Sequence, residues 1–172
     1  MSKLVIGITG PTGAGKTTVG ELLAKQLGRC VNIDADHIKH MIVSGFHKDE
    51  TNAGGWSYSE WPLVGDSIGL LASNFITNGY DVVINGYIDP LGWDTIEKHL
   101  TFTHKFLLLP EIETNKVRDS GRSPEVARGS AVVDEHHEHF NTQQLYDSFQ
   151  TIDSTDMSPG ETMAELLQEI KK

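Results

Sequence analysis

The stretch Gly10-Pro11-Thr12-Gly13-Ala14-Gly15-Lys16-Thr17 fits G-x-x-x-x-G-K-[ST], the phosphate-binding loop known as Walker A. Its residue types match what a polyphosphate needs. Gly10, Gly13 and Gly15 lack a Cβ, so the backbone can curl and aim successive N–H groups inward. A helix beginning near Lys16 adds its positive dipole end. Lys16 is placed to reach the β- and γ-phosphates, and the Thr17 hydroxyl to hold Mg²⁺.

Two further groups have the chemistry to work beside such a loop. Asp34 and Asp36 follow an apolar run, Cys30 to Ile33. Asp36 is the candidate to orient an attacking hydroxyl and take its proton. The same position suits a helix N-cap, and the two roles are compatible. Asp34 suits the Mg²⁺ shell through water, and equally a plain turn aspartate. Three of the four arginines, Arg118, Arg122 and Arg128, fall within eleven residues. Arginine's planar fork suits the equatorial oxygens of a transferring phosphoryl group, with Arg118 and Arg122 the stronger pair, four apart and on one helix face if the helix persists past Gly121. The alternative is a solvated surface balanced by neighbouring acids such as Asp119. The run Asp134 to His139 lacks metal-ligand spacing, and a solvated histidine-rich helix face is the favoured reading. Trp56, Tyr58, Trp61 and Trp93 suit an acceptor pocket or a loop packed on the core.

These groups must be positioned by strands alternating with helices. Leu4 to Thr9, Cys30 to Ile33, Asp81 to Gly86, Thr103 to Leu109 and Thr151 to Asp153 read as strands. Helices are expected over Lys16–Leu27, His37–Ile42, Pro62–Asn78, Pro90–Leu100, Glu111–Asp119, Ala131–Phe149 and from Pro159, where Ser158 and Glu161 form a capping box. On the third of these, Leu63, Ile68, Leu71, Phe75 and Ile76 are the expected apolar positions. This alternation implies an α/β parallel sheet with helices on both faces. It places both aspartates at a strand's carboxyl end, on the ligand-binding edge.

With 172 residues, one domain is the expectation over 1–172, with an irregular insertion at 44–61 and a mobile loop at Ser120 to Ser130. The 14 basic and 24 acidic residues give a formal charge of −10, which argues against nucleic-acid or anionic-membrane surfaces. Cys30 is the sole cysteine, read as a buried, inert thiol, so no intrachain disulfide forms and a reducing, cytoplasmic setting fits. No signal peptide or membrane span is read.

Together the loop, the Asp34/Asp36 pair and the arginine cluster resemble the small-molecule P-loop kinases around gluconate kinase, shikimate kinase and chloramphenicol phosphotransferase, in the nucleoside-monophosphate-kinase-like group. The resemblance covers most of the chain in element order. It is specific at Ile6 to Thr18, Ile33 to Asp36, Arg118 to Arg122 and Ile152 to Ile170. It implies a three-layer P-loop NTPase with five parallel strands in the order 2-3-1-4-5 and a small lid at about 118–130. It further implies ATP held by Gly10 through Thr18, an adenine loop at Asp153-Ser154-Thr155-Asp156, and Mg²⁺ at Thr17 and Asp34. Lys16, Asp36, Arg118 and Arg122 would carry catalysis in a monomer or homodimer.

Two departures stand out. Asn85 ends the third strand where many P-loop proteins place a Walker B aspartate. No arginine lies between residues 30 and 117, which mildly favours a neutral or cationic hydroxylated acceptor unless Lys39 or Lys48 serves. The favoured reading is an ATP- and Mg²⁺-dependent kinase for a small hydroxyl-bearing molecule: a sugar, sugar acid, antibiotic or nucleoside. The alternatives are a nucleotide-dependent switch or ATPase module without such an acceptor, and a toxin-like or nucleotide-repair kinase acting on a nucleotide or nucleotide sugar.

Overall fold

The computed structural model describes residues 3–45 and 58–172, with Tyr58 in its backbone only. The expected insertion lies mostly outside the described residues, and with it Trp56 and Lys48. Five strands form the frame: β1 (Val5–Thr9), β2 (Cys30–Asp34), β3 (Asp81–Asn85), β4 (His104–Leu108) and β5 (Gln150–Ile152). They pair in parallel in the order β2-β3-β1-β4-β5. This is the expected order. The central strands β1 and β3 are apolar and buried along almost their whole length, as suits a sheet covered on both faces.

Helices α1 (Lys16–Gln26), α2 (Ala35–Lys39), α3 (Trp61–Thr77), α4 (Pro90–Ile96), α5 (Ile112–Ser120), α6 (Ser130–Thr142) and α7 (Pro159–Ile170) complete the layers. On one face, Val19 and Leu23 of α1 and Leu166 of α7 cover Ile6, Ile8, Phe106 and Leu108. On the other, Val64, Ile68 and Ala72 of α3 and Trp93 of α4 cover Ile33, Val82 and Ile84. Each such fully buried side chain stabilises the fold by about 1.5–3 kcal/mol relative to exposure. The Ser158–Glu161 capping box closes the start of α7 as expected.

Several elements differ from the sequence reading. On α3, Leu63 and Leu71 point outward, 57% and 37% exposed. The core face instead runs through Val64, Gly65, Ile68, Gly69 and Ala72, because α3 lies close against α4 and only small residues fit that contact. A Cβ on Gly65 would come within 2.5 Å of the Gly92 carbonyl oxygen. The helix expected over 131–149 stops at Thr142 and gives way to a 3₁₀ turn at Gln144–Ser148. α2 begins two residues earlier than expected, so Asp36 sits in its first turn. Cys30 is half-buried rather than buried, and burial raises its thiol pKa to about 11, consistent with an inert group. No described helix is long and apolar enough to cross a membrane.

Candidate active site

The phosphate loop leaves the carboxyl end of β1 and feeds α1 at Lys16. Gly13 needs its glycine: φ is 85°, and an added Cβ would stand 2.5 Å from the Asn115 carbonyl oxygen. α5 therefore lies directly against the loop. The Lys16 Nζ donates to the Pro11 carbonyl at 2.8 Å, so its ammonium is folded back over the loop. Burial lowers the Lys16 pKa to about 8. Arg122 and Lys39 push it the same way, while Asp36 and Asp34 partly restore it.

Asp34 caps α2. Its Oδ1 accepts from the Asp36 backbone N–H at 2.8 Å, so the N-cap is Asp34 and not Asp36. Its Oδ2 accepts from the Thr17 hydroxyl at 3.0 Å. A hydroxyl and a carboxylate thus meet beside the phosphate loop, the hard oxygen donors that Mg²⁺ takes. Asp36 is thereby released from capping. It pairs with Lys39 at 2.9 Å. Burial works against its charged form, but Lys39, Lys16 and His40 outweigh that and hold its pKa below the ordinary value. The carboxylate is ionised at neutral pH and able to accept a proton.

Asn85 turns away from this chemistry. It is fully buried, and its Nδ2 donates to the Asn32 side-chain oxygen at 2.8 Å. Gly20 of α1 makes room for it, since a Cβ there would lie 3.0 Å from the Asn85 Nδ2. Asn85 is a brace between β2 and β3. An Asn85→Asp variant should lower stability by about 3–5 kcal/mol, because a buried carboxylate would face another oxygen with no donor. Thermal denaturation checks this, and nucleotide-dependent Mg²⁺ affinity should not improve.

The arginines are divided between two jobs. Arg122 and Arg128 border a cavity of about 200 Å³ that also contains Lys16, Thr17, Asp36 and Lys39. Arg118 does not border it. Its guanidinium NH2 donates to the carbonyls of Ser154 at 2.8 Å, Met157 at 3.1 Å and Thr155 at 3.3 Å. The expected Arg118–Arg122 face breaks because α5 ends at Ser120. Arg118 therefore secures the loop after β5, and Arg128, which sequence reasoning ranked last, borders the cavity. In that loop Ser154 is buried and the Thr155 hydroxyl accepts from the Glu111 N–H at 2.8 Å.

Asp119, set aside from sequence as a surface counter-charge, holds the arginine loop in place. It is 2% exposed. Its Oδ2 accepts from the backbone N–H groups of Arg128 and Gly129 at 3.0 and 2.9 Å, and Arg122 lies 3.6 Å from its Oδ1. Its nine- and ten-residue reach across a polar loop left no periodic signal. Asp119→Ala should cost about 1–3 kcal/mol through the orphaned donors. Limited proteolysis should then cut between residues 122 and 129 faster than in the parent.

The aromatic and histidine groups also divide. Trp61 borders the cavity, and Tyr87, which sequence reasoning passed over, does so too. Trp93 is buried against Phe102 and Phe149. His136 is no solvated residue: it borders the cavity, while His139 reaches the Tyr146 hydroxyl at 3.2 Å. Among the described residues no group of three His, Cys, Asp or Glu side chains is arranged to hold a metal.

Sheet order, phosphate loop and enclosed polar cavity together define a P-loop nucleotide-binding domain of the kinase-like type. Residues 2–90 match the family described as Zeta toxin, and the chain belongs to that family. A 30-residue stretch is 73% identical to a shikimate kinase of Psychrobacter sp. (strain PRwf-1), spanning 17% of this chain and 16% of that one. Among solved structures, a sugar kinase from Janibacter sp. HTCC2649 aligns with a TM-score of 0.74 at 16% identity, covering 98% of this chain and 95% of that one. A gluconokinase from Sinorhizobium meliloti 1021 aligns with a TM-score of 0.71 at 16% identity, covering 99% and 93%.

Proposed function

We propose that this chain transfers the γ-phosphoryl group of ATP to a hydroxyl of a small acceptor. One observation carries the reading: a single cavity encloses the phosphate-loop lysine, an ionised aspartate and two arginines. Lys16, Arg122 and Arg128 neutralise the phosphoryl oxygens, and Asp36 orients the acceptor hydroxyl and takes its proton. Gly10 through Thr18 cradle the phosphates. Arg118, Ser154 and Thr155 shape the edge that takes the base. Thr17 and Asp34 would hold Mg²⁺, which would offset the negative charge of the nucleotide. The loop at 118–130 closes over the reactants, so catalysis is positioning plus charge stabilisation in a site shielded from water. The sugar, gluconate and shikimate kinases among the relatives support this class of reaction.

Lys16, Lys39, Arg122 and Arg128 outnumber Asp36 and Glu135 around the cavity, although the chain as a whole carries −10. That excess matches the polyphosphate of ATP. It arises because Lys39 folds back from α2 and Arg128 is drawn in by Asp119. The test follows γ-labelled ATP with Mg²⁺ against sugars, sugar acids, sugar phosphates, nucleotides and aminoglycosides. Labelled product from any of these acceptors, lost in Lys16→Ala, supports the reading. Label appearing only as free phosphate with every acceptor overturns it.

A pH dependence follows from Lys16. Its charged form binds phosphate, and its pKa in the empty protein is about 8. Nucleotide affinity should therefore hold up to about pH 7 and fall as pH rises through 8, by up to about tenfold at pH 9, with proton uptake on binding above pH 8. Calorimetry in buffers of different ionisation enthalpy measures both.

A further inference from the structure

α6 brings a second polar group to the phosphate loop. The His136 Nδ1 lies 2.8 Å from the Thr12 hydroxyl. Its ring stacks on Tyr87, with centroids 4.3 Å apart and planes at 30°. Tyr87 in turn meets Phe140 edge-on and Trp61 at a tilt, so the imidazole is clamped between the loop and an aromatic wall. It borders the same cavity as Lys16, Asp36 and Arg122. Burial, then the charges of Lys16, His139, Lys39 and Arg128, lowers its pKa to about 3, so the ring is neutral at physiological pH.

A neutral imidazole has one N–H donor and one acceptor nitrogen, and the use of one decides the role of the other. Nδ1 is engaged by Thr12. Nε2 has no hydrogen-bond partner among the described residues. Phosphoryl oxygens only accept. A phosphoryl group in this cavity therefore selects the form in which the Thr12 hydroxyl donates to Nδ1 and Nε2 carries the proton.

Resting on the kinase reading above, we infer that His136 is a further phosphoryl-contacting residue, braced on Thr12 through Nδ1 and presenting Nε2–H to an oxygen of the γ-phosphoryl group. It differs in kind from the cations around it. It adds a directed donor without adding charge, so it favours nucleotides that have a γ-phosphate over those that lack one. It also registers α6, and Arg128 just ahead of it, against the loop.

The experiment uses the full chain with Mg²⁺ and either the β,γ-imido analogue of ATP or ADP. The imidazole ¹⁵N shifts of His136 are followed, assigned by comparison with His136→Phe and Thr12→Val. Phenylalanine retains the stack on Tyr87, and valine leaves the loop's backbone donors in place. The expected result is a neutral ring at pH 7 whose Nε2 resonance moves with the analogue and not with ADP. Each variant should lose about tenfold in its preference for the analogue over ADP, and the double variant no more than either alone. If His136→Phe fails to fold, the parent and Thr12→Val spectra decide the outcome. Equal responses to the two nucleotides, or additive losses in the double variant, overturn the inference and leave the kinase reading standing. Failure of both nucleotides to bind overturns both.

Discussion

Lys16→Ala is expected to lower phosphoryl transfer on the order of 10³-fold, the cost of removing a preorganised charge from a developing anionic centre. The effect should fall on kcat as well as on ATP affinity. The ammonium rests on the Pro11 carbonyl at 2.8 Å, an oxygen that a bound phosphate would replace. The variant should still fold, because its own contact is to a single carbonyl of the phosphate loop and Val19 and Leu23 anchor α1 to the sheet. Circular dichroism and thermal denaturation check folding, and single-turnover transfer from γ-labelled ATP measures the chemical step. A variant that retains transfer within tenfold of the parent would remove the lysine from the reaction.

Asp36→Asn is expected to lower transfer to the acceptor by about 10²–10³-fold, the range for a positioned general base. Unlike the lysine variant, it should leave nucleotide affinity within a few-fold. The reason is structural. Asp34, not Asp36, carries the α2 N-cap and the contact to Thr17, so those contacts survive removal of the Asp36 charge, although Lys16 loses the neighbour that most raises its pKa. It also removes the 2.9 Å ion pair to Lys39, and the loss should appear in kcat. Full transfer by a variant that binds its acceptor normally would show that Asp36 is not the base. Asp34→Asn should behave in the opposite way, weakening the Mg²⁺-dependent part of nucleotide binding.

Much of this protein was open to a reader of its sequence because the signals are local. Gly10 to Thr17 fall in consecutive positions, and a β-branched run before them and periodic leucines after them leave one arrangement. Five apolar runs alternating with helices imply the parallel sheet, and the resemblance to P-loop kinases adds its strand order. Ser158 and Glu161 close α7 by a contact three residues apart.

What stayed hidden depends on contacts between distant segments. Thr12 and His136 are 124 residues apart, and no spacing rule relates them, so a histidine on a polar helix looked solvated. Asp119 looked like a counter-charge because its partners are backbone N–H groups, which are the same for every residue type. Arg118 and Arg122 looked equivalent until the end of α5 at Ser120 sent one to the loop after β5 and the other to the cavity. By itself the sequence determined the phosphate loop, the fold class and the identity of the acidic pair, since local geometry and periodicity suffice for those. Only the tertiary structure decided which cations share the cavity, which aspartate caps α2 and which pairs with Lys39 beside that cavity, and that Asn85 braces two strands. Each of these is a matter of which side chains the closed sheet and its covering helices bring within hydrogen-bonding or Coulombic range.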